Sequence, residues 1–472
     1  MGAAAGHAGA VYRNKYTGKR CHMGIGIWAL LVFIGIIVFF NLVLKRNIAE
    51  AMLAGFVVTA LFGGVKAPDL MWNGLVFAAT NEVLYASVAF VFMAYVIDQT
   101  AVIASLIKIL NSLLGRFPGG AAYVDTLASA VMGTLTGSNS GNTATTGSIT
   151  APWMVRSNFS RELSATVVAG NGGLGASLPP SASMFIMLGF APVAAVVSEG
   201  DLYVALFIAG VYQVIYRIFL IIYFVKRDNI KAISPDFIQP LKESLRTGWK
   251  STLIFLGALI PIVVTIGPLA ESISANPALG ESALDSISLI TWIPILIIFI
   301  SFMVGWAHLP KNKSDWSKFL NNSIPRFSTI GALLVFAYAS SQVLTDLGLA
   351  EDLTGLMESI AISKWLMVLL IGLLVALVAG PLSSTATLTA IGIVAFTGMV
   401  SAGVDPLLAV VAILVFASTE GASPPASGSI FIAASLAGAQ AEKTFVPLVI
   451  YYVLPILLIG YFIAMGILPV PM

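Results

Sequence analysis

Charged residues are scarce in this chain of 472 residues: Asp, Glu, Lys and Arg make up 10% of it, whereas soluble domains carry roughly 25%. The formal net charge is only +2, so there is no basic excess of the kind that binds nucleic acid. Cys21 is the only cysteine, which excludes an internal disulfide and a cysteine-based metal site. The histidines, His7, His22 and His308, are solitary, and no Gly-Lys-Ser/Thr phosphate loop is present. These absences argue against an enzyme.

Long apolar stretches dominate the chain, of which 58% is hydrophobic. A bilayer core about 30 Å thick needs about 20 apolar residues per helix, so the sequence predicts an all-α polytopic membrane protein with about eleven transmembrane helices. The predicted crossings are 24–44, 48–65, 72–97, 101–115, 163–190, 202–224, 250–268, 288–306, 326–345, 406–440 and 444–466. Two further stretches, 121–155 and 364–400, are interrupted midway by small polar residues and are interpreted as re-entrant hairpins.

The distribution of Lys and Arg predicts the orientation, because these residues concentrate in cytoplasmic loops. The loop that follows residue 225 is rich in both and is placed inside. Counting crossings from it makes the first hairpin open to the cytoplasm and the second to the exterior. The resulting division is a polar segment 1–23, an extra N-terminal helix 24–47, a first repeat 48–225, a cytoplasmic connecting loop 226–249 and a second repeat 250–472.

An internal repeat supports this division independently of charge. The stretch from Gly175 to Ile186 aligns without gaps to the stretch from Gly421 to Ile432 at an offset of 246, with eight of twelve positions identical. Each hairpin centre also carries Thr-Ala-Thr, at 143–145 and at 385–387. Because the charge count gives the halves opposite orientations, the sequence predicts an inverted-topology repeat, as found in many secondary transporters.

Polar breaks interrupt the apolar stretches at four places. A lipid-exposed break would leave backbone groups unpaired at several kcal/mol each, so breaks survive only inside protein or beside a water-filled cavity. Freed carbonyls and hydroxyls suit Na⁺, while half-helix N-termini suit a carboxylate. The candidate substrate- and ion-binding residues of the first half are Ser138, Asn139, Ser140, Gly141, Asn142, Thr143, Thr145, Gly170, Asn171, Gly172, Gly173, Ser177, Pro179, Pro180 and Ser181. Those of the second half are Gly380, Ser383, Ser384, Thr385, Thr387, Thr419, Glu420, Gly421, Ser423, Pro424, Pro425 and Ser427.

Three carboxylates lie within apolar runs, where a charge is costly. Glu420 lies in the Pro-Pro break of the second half and is predicted to bind a cation or carry a proton. Glu82 and Asp125 have no counterpart in the other half, and we assign them structural roles. The G-x-G-x-x-G pattern that begins at Gly170 is rejected as a dinucleotide site, because no βαβ unit surrounds it.

Several of these residues resemble the large membrane subunit of tripartite ATP-independent periplasmic (TRAP) transporters, across nearly the whole chain after the first helix. The similar stretches are Thr145 to Pro152 with the basic loop that follows, Pro179 to Ser181, and Pro424-Pro425 with Gly428. The resemblance implies a bacterial or archaeal cytoplasmic membrane, scaffold and transport parts, elevator-like movement and Na⁺ coupling. It also implies an extracytoplasmic substrate-binding protein and a small membrane subunit, and no cofactor besides Na⁺. Asn142 stands where many family members carry an acidic residue.

We therefore expect an ion-coupled secondary transporter that imports small organic anions such as carboxylates. A stand-alone ion-coupled carrier without a binding protein is the nearest alternative. A channel is a third, because broken helices also serve as selectivity filters. An intramembrane enzyme is disfavoured, since no constellation of nucleophile, metal ligands or acid-base groups is present.

Overall fold

The computed structural model describes most of the chain. The described residues are 24–100, 102–136, 138–232, 238–265, 268–276, 284, 288–352, 355, 363–380, 382–425 and 427–471. The predicted polar segment 1–23 lies outside them, as does residue 137, which lies at the tip of the first predicted hairpin.

All secondary structure in the described residues is helical. The helices of the first half are α1 Ile25–Val38, α2 Ile48–Leu61, α3 Ala67–Thr80, α4 Glu82–Gln99, α5 Val102–Leu114, α6 Gly120–Thr136, α7 Asn139–Arg156, α8 Arg161–Gly172, α9 Leu174–Ser177, α10 Ala182–Leu188, α11 Ala191–Ala194 and α12 Glu199–Arg227. Those of the second half are α13 Leu241–Gly248, α14 Leu256–Thr265, α15 Pro268–Ser274, α16 Leu289–Val304, α17 Lys313–Asp346, α18 Lys364–Ala379, α19 Ser384–Ser401, α20 Pro406–Ala417, α21 Gly428–Ala437, α22 Phe445–Leu448 and α23 Leu454–Ala464.

Several helices are long and apolar enough to span a bilayer, which agrees with an all-helical multi-pass membrane protein. Among the described residues six candidates meet this criterion: Glu82–Gln99, Glu199–Arg227, Leu241–Thr265, Lys313–Asp346, Ser384–Ser401 and Ala441–Ala464. Many large apolar side chains on these helices face outward, including Phe219 at 64% exposed and Phe299 at 59%. Apolar surface of this kind is stable when lipid rather than water surrounds it.

The helices form two groups. In the outer group, α2 packs against α1 and α3, all three contact the long helix α17, and α16 packs against α14 and α4. In the central group, α7 and α8 pack against α21, and α20 packs against α12, α18 and α23. The outer helices α4 and α17 also contact α10 and α19 of the central group, so the groups meet along these elements.

The two halves of the central group follow the same order of elements. Each has a pair of helices joined by a short turn, α6 with α7 and α18 with α19. A helix of 12 residues follows in each half, α8 and α20, and each ends in a break. A further helix then continues the chain, α10 or α21, and the Pro-Pro bond in each break is cis.

Four expectations about the crossings need correction. The stretch 72–97 is not one helix, because the chain breaks at Asn81, whose side-chain amide donates to Gly189 O at 3.0 Å. Helix α5, predicted as a crossing over 101–115, lies along α13, and Ser112 and Ser244 meet at 2.5 Å. The stretch 226–249, which was predicted as a connecting loop, therefore contains a helix on which α5 packs. Helix α17 begins at Lys313, well before the predicted crossing 326–345.

Candidate functional site

Serine residues begin the second helix of each hairpin. Ser138 precedes α7, and its Oγ accepts a hydrogen bond from the Gly141 N–H at 3.2 Å. Ser383 precedes α19, and its Oγ accepts from the Ala386 N–H at 3.2 Å. The hairpins therefore correspond through these capping serines, not through the two Thr-Ala-Thr triplets, which lie at different depths in their helices. Each helix N-terminus carries unpaired backbone N–H groups and a partial positive charge.

Glu420 lies beyond the end of α20, in a 3₁₀ turn that spans Ser418–Ala422. Its side chain is only 4% exposed. The Asn139 amide and the Ser384 backbone N–H, one from each hairpin, lie next to the carboxylate. The fold thus brings a carboxylate to the place where the two hairpin tips approach each other.

A cavity of about 550 Å³ lies between these elements. Its walls come from both hairpin tips, from the break after α20 that carries Glu420, and from the outer helices α4 and α17. Nine of the predicted site residues line it: Ser138, Asn139, Ser140, Gly141, Thr145, Ser383, Ser384, Thr385 and Glu420. Ser140 also approaches Ser429 of α21, with 3.5 Å between the hydroxyl oxygens. The cavity therefore combines two helix N-termini, several hydroxyls and two carboxylates, those of Glu420 and of Asp98 on α4.

The other predicted residues do not line this cavity. Pro179 and Pro180 border a separate apolar groove between α12 and α14, and Ser181 caps α10. Thr143, Thr419 and Ser423 donate to carbonyls of their own helical turns. The remaining members are buried or placed within the breaks: Asn142, Gly170, Asn171, Gly172, Gly173, Ser177, Gly380, Thr387, Gly421, Pro424, Pro425 and Ser427.

A second buried polar cluster lies where the two helices of the first hairpin, α6 and α7, meet α8. Asp125 of α6 is fully buried, and it accepts hydrogen bonds from Thr150 of α7 and from Asn171 of α8, the latter at 2.7 Å. Asn171 also donates to Thr126 at 2.9 Å. This arrangement fits the structural role predicted for Asp125, since its contacts join three helices. Glu82 is likewise a contact residue, because it accepts from Thr291 at 2.9 Å.

Some cavity residues were missed by sequence reasoning. These are Phe90, Val91, Ala94 and Asp98 of α4, Ala182 of α10, and Pro325 and Ile330 of α17. Asp98 had a usable signal, because an acidic residue within an apolar run is a candidate functional group. The apolar residues had none, since nothing local distinguishes an apolar side chain that faces a cavity from one that faces lipid.

The fold and the site define a multi-pass helical membrane protein with a polar cavity held between two helix hairpins. Residues 25–465 match the sequence profile of the tripartite ATP-independent periplasmic transporter, DctM component. The chain belongs to this family. The matched range begins at residue 25 and so includes the first helix.

Curated relatives carry the same family label. The C4-dicarboxylate TRAP transporter large permease protein DctM of Pseudomonas aeruginosa is 21% identical over 333 residues, which cover 71% of this chain and 72% of the relative. The isethionate TRAP transporter permease protein DctMQ of Oleidesulfovibrio alaskensis is 20% identical over 75% of this chain and 53% of its own length. The 2,3-diketo-L-gulonate TRAP transporter large permease protein YiaN of Escherichia coli is 27% identical over 39% of this chain and 41% of its own.

Solved structures share the fold. MtrF of Neisseria gonorrhoeae, described as illuminating a class of antimetabolite efflux pumps, aligns with a TM-score of 0.62 at 10% identity, covering 87% of each chain. The YdaH transporter of Alcanivorax borkumensis aligns with a TM-score of 0.58 at 14% identity, covering 94% of this chain and 97% of its own. At these identities the likeness concerns architecture alone.

Proposed function

We propose that this chain is the permease of a Na⁺-coupled importer of small organic anions. The observation that carries the proposal is the cavity of about 550 Å³ that joins the N-termini of α7 and α19 to Glu420. Both the anion and the coupling ion are small enough to share such a space.

The helix N-termini are the proposed anion site. Backbone N–H groups at Asn139 and Ser384 have no partners within their own helices, and the helix dipoles favour negative charge there. The hydroxyls of Ser140 and Thr385 add donors that match carboxylate or sulfonate oxygens. The relatives are named for C4-dicarboxylates, isethionate and 2,3-diketo-L-gulonate, which are all small organic anions. We therefore place the substrate in this chemical class.

Glu420 is the proposed centre of the cation site. A carboxyl group that is 4% exposed at membrane depth is stable when a proton or a cation neutralises it, and we propose that a bound cation does so. Asn139 and Ser384 also line the cavity, and the amide oxygen of one and the hydroxyl of the other are ligand types that suit a hard monovalent cation. When both ions bind, the cation neutralises Glu420 and reduces its repulsion of the incoming anion. Substrate and Na⁺ would thus assist each other's binding through one shared site.

The proposed cycle moves the central group against the outer group in an elevator-like manner. The matching order of helix, break and helix in α8 to α10 and α20 to α21 supports an inverted repeat with two re-entrant hairpins. Because the cavity lies where the groups meet, a shift between them would change the side from which it is reached. The tripartite family label supports two partners, an extracytoplasmic substrate-binding protein and a small membrane subunit. We place the chain in a bacterial or archaeal cytoplasmic membrane.

The test is uptake of labelled organic acids by proteoliposomes, with and without a Na⁺ gradient and candidate binding proteins. We expect saturable uptake that requires Na⁺ and is stimulated by a binding protein. Glu420→Gln should lower Na⁺-driven uptake tenfold or more, which corresponds to about 1.4 kcal/mol of lost interaction. Glu442→Gln, at an exposed position outside the cavity, is the control and should transport normally.

Other outcomes would redirect the assignment. Na⁺-driven uptake that no binding protein improves would indicate a stand-alone carrier. Flux that neither saturates nor follows the gradient would indicate a channel and would overturn the proposal.

A further inference from the structure

Arg217 is a charged side chain for which the proposed site gives no use. It lies near the middle of the 29-residue helix α12 and is 0% exposed. Among the described residues only two other charged side chains are buried, Asp125 and Glu420. Burying a guanidinium costs desolvation free energy unless hydrogen-bond acceptors and nearby charges offset it, so the contacts of Arg217 indicate its role.

The guanidinium of Arg217 caps the end of α8. The break that follows there, Gly170 to Ser181, is called the first break below. Its Nη2 donates to Gly170 O at 3.0 Å, and its Nη1 donates to the backbone and side-chain oxygens of Gln213 at 3.2 and 3.3 Å. Gly170 O is one of the last four carbonyls of α8, which have no partner within the helix. A cation at that end also complements the helix dipole. The ring of Tyr452 lies under the guanidinium, 5.7 Å from its carbon atom.

The same face of α12 also contacts the break that follows α20, Thr419 to Ser427, which is called the second break below. Gln213 lies one turn before Arg217, and its Oε1 lies 3.2 Å from the Ser418 hydroxyl, whose single hydrogen is shared between this oxygen and Val415 O at 2.7 Å. Ser418 begins the turn that carries Glu420. The breaks also touch directly, because a Cβ on Gly173 would lie 2.1 Å from Ser418 O and 3.8 Å from Arg217 Nη2. Arg217 and Gln213 therefore form a polar bridge between the two breaks.

The charge of Arg217 also matters for ion coupling. With Asp125 and Glu420 ionised, the three charges buried in protein sum to −1, from two negative and one positive, and Asp98 adds an exposed carboxylate to the cavity wall. Bound cations offset this negative charge, because uncompensated charge inside a membrane protein is strongly unfavourable. Without Arg217 the sum would be −2. The number and affinity of bound cations should therefore depend on this residue.

We propose that Arg217 is a positioning residue that joins the two helix breaks into one unit and offsets part of the buried negative charge, which sets how tightly a monovalent cation binds. Its action on Glu420 passes through Gln213 and Ser418. The charge-balance part of this inference rests on the proposed transport function. The inference that Arg217 joins the breaks does not depend on that function.

The joining of the breaks is tested by hydrogen–deuterium exchange on the full chain in lipid nanodiscs. Arg217→Met should raise exchange in peptides from both breaks, Gly170 to Ser181 and Thr419 to Ser427. Arg217→Lys keeps a cation at Gly170 O and should retain most of the protection. The matched control is Arg227→Met, on the same helix but paired with Asp228 at an exposed position. Increased exchange in one break only, or in neither, would overturn the proposal.

The charge balance is tested by the Na⁺ dependence of uptake in proteoliposomes, with choline replacing Na⁺. In Arg217→Met the Na⁺ concentration for half-maximal uptake should fall several-fold, because a more negative site binds a cation more tightly. Arg217→Lys should stay near wild type. The double variant Arg217→Met with Asp125→Asn restores a sum of −1 and should return toward wild type. The Asn introduced at 125 still accepts from Asn171, and Thr150 can still donate to Thr146 O.

Failure of the inference differs from failure of the proposed function. A purely structural Arg217 would reduce the amount of folded protein or the maximal rate in the variants and leave the half-saturating Na⁺ concentration unchanged, which would overturn the charge-balance role. Wild-type protein that shows no Na⁺-dependent uptake would overturn the proposed function and with it the charge balance. The exchange experiment would still decide whether Arg217 joins the breaks.

Discussion

At the scale of single residues, Asn142 shows how the structure changes the meaning of a sequence feature. The family resemblance marked its position as one of departure from an acidic residue. In the structure its side-chain amide is fully buried and donates to Ser129 O at 2.9 Å and to Gly172 O at 3.3 Å. Asn142 thus joins the first hairpin to the last carbonyl of α8, and its nitrogen is the atom that makes both contacts.

Asn142→Asp should therefore destabilise the protein. An ionised aspartate cannot donate, so two carbonyl oxygens would lose their donor and face a negative charge instead. Leaving buried hydrogen-bonding groups unsatisfied costs about 1–3 kcal/mol, and more when a charge is involved. Thermal unfolding of the purified variant in detergent is the measurement, with Asn142→Ala as the comparison. If the aspartate variant melts at or above the wild-type temperature, Asn142 does not have the bridging role assigned to it.

At the scale of elements, the first and second breaks cross in direct contact, and this contact positions the turn that carries Glu420. Gly173 and Gly421 lie at this crossing, where a Cβ on Gly421 would be 2.7 Å from the Gly173 nitrogen. Gly173 has φ −59°, so its backbone is open to any residue and only the lack of space requires glycine. The positions of these glycines in each half are visible in the sequence, but their contact across the halves is a tertiary feature.

Gly173→Ala should lower stability by about 1–3 kcal/mol, the usual effect of overpacking, because its methyl group would overlap a backbone carbonyl that has little freedom to move. Gly35→Ala in α1 is the matched control, since a Cβ there meets nothing within 4 Å. Alanine also favours a helix over glycine, so this control should be neutral or slightly stabilising. Melting temperatures of the two variants measured side by side test the expectation. Equal melting temperatures would contradict a tight crossing at Gly173.

At the scale of the whole molecule, the orientation in the membrane determines which way each hairpin opens. The proposed arrangement puts the connection before α12 outside and the connection after α12 inside. Val196, at 59% exposed, and Lys231, also exposed, lie in these two connections.

Single cysteines at these positions test the orientation in a Cys21→Ser background. In intact cells a membrane-impermeant maleimide should label the Val196→Cys variant, whereas the Lys231→Cys variant should react only after the membrane is permeabilised. The reverse pattern would invert the proposed topology. Labelling of both in intact cells would show that α12 does not separate the two sides.

Composition, apolar run length and Gly-Pro punctuation are local properties, so the sequence was enough to predict a helical membrane fold, four breaks and Glu420 as the main candidate. It also predicted the capping serines as site residues, whereas the two Thr-Ala-Thr triplets lie at different depths in their helices. Tertiary structure alone decided that Ser140, Ser383 and Glu420 share one cavity while Asn171 turns away toward Asp125. It also decided that α4 supplies a wall and that Arg217 lies between the breaks. The physical reason is that a break exposes polar groups on every side, and only the packing of distant helices determines which of those sides meets the cavity.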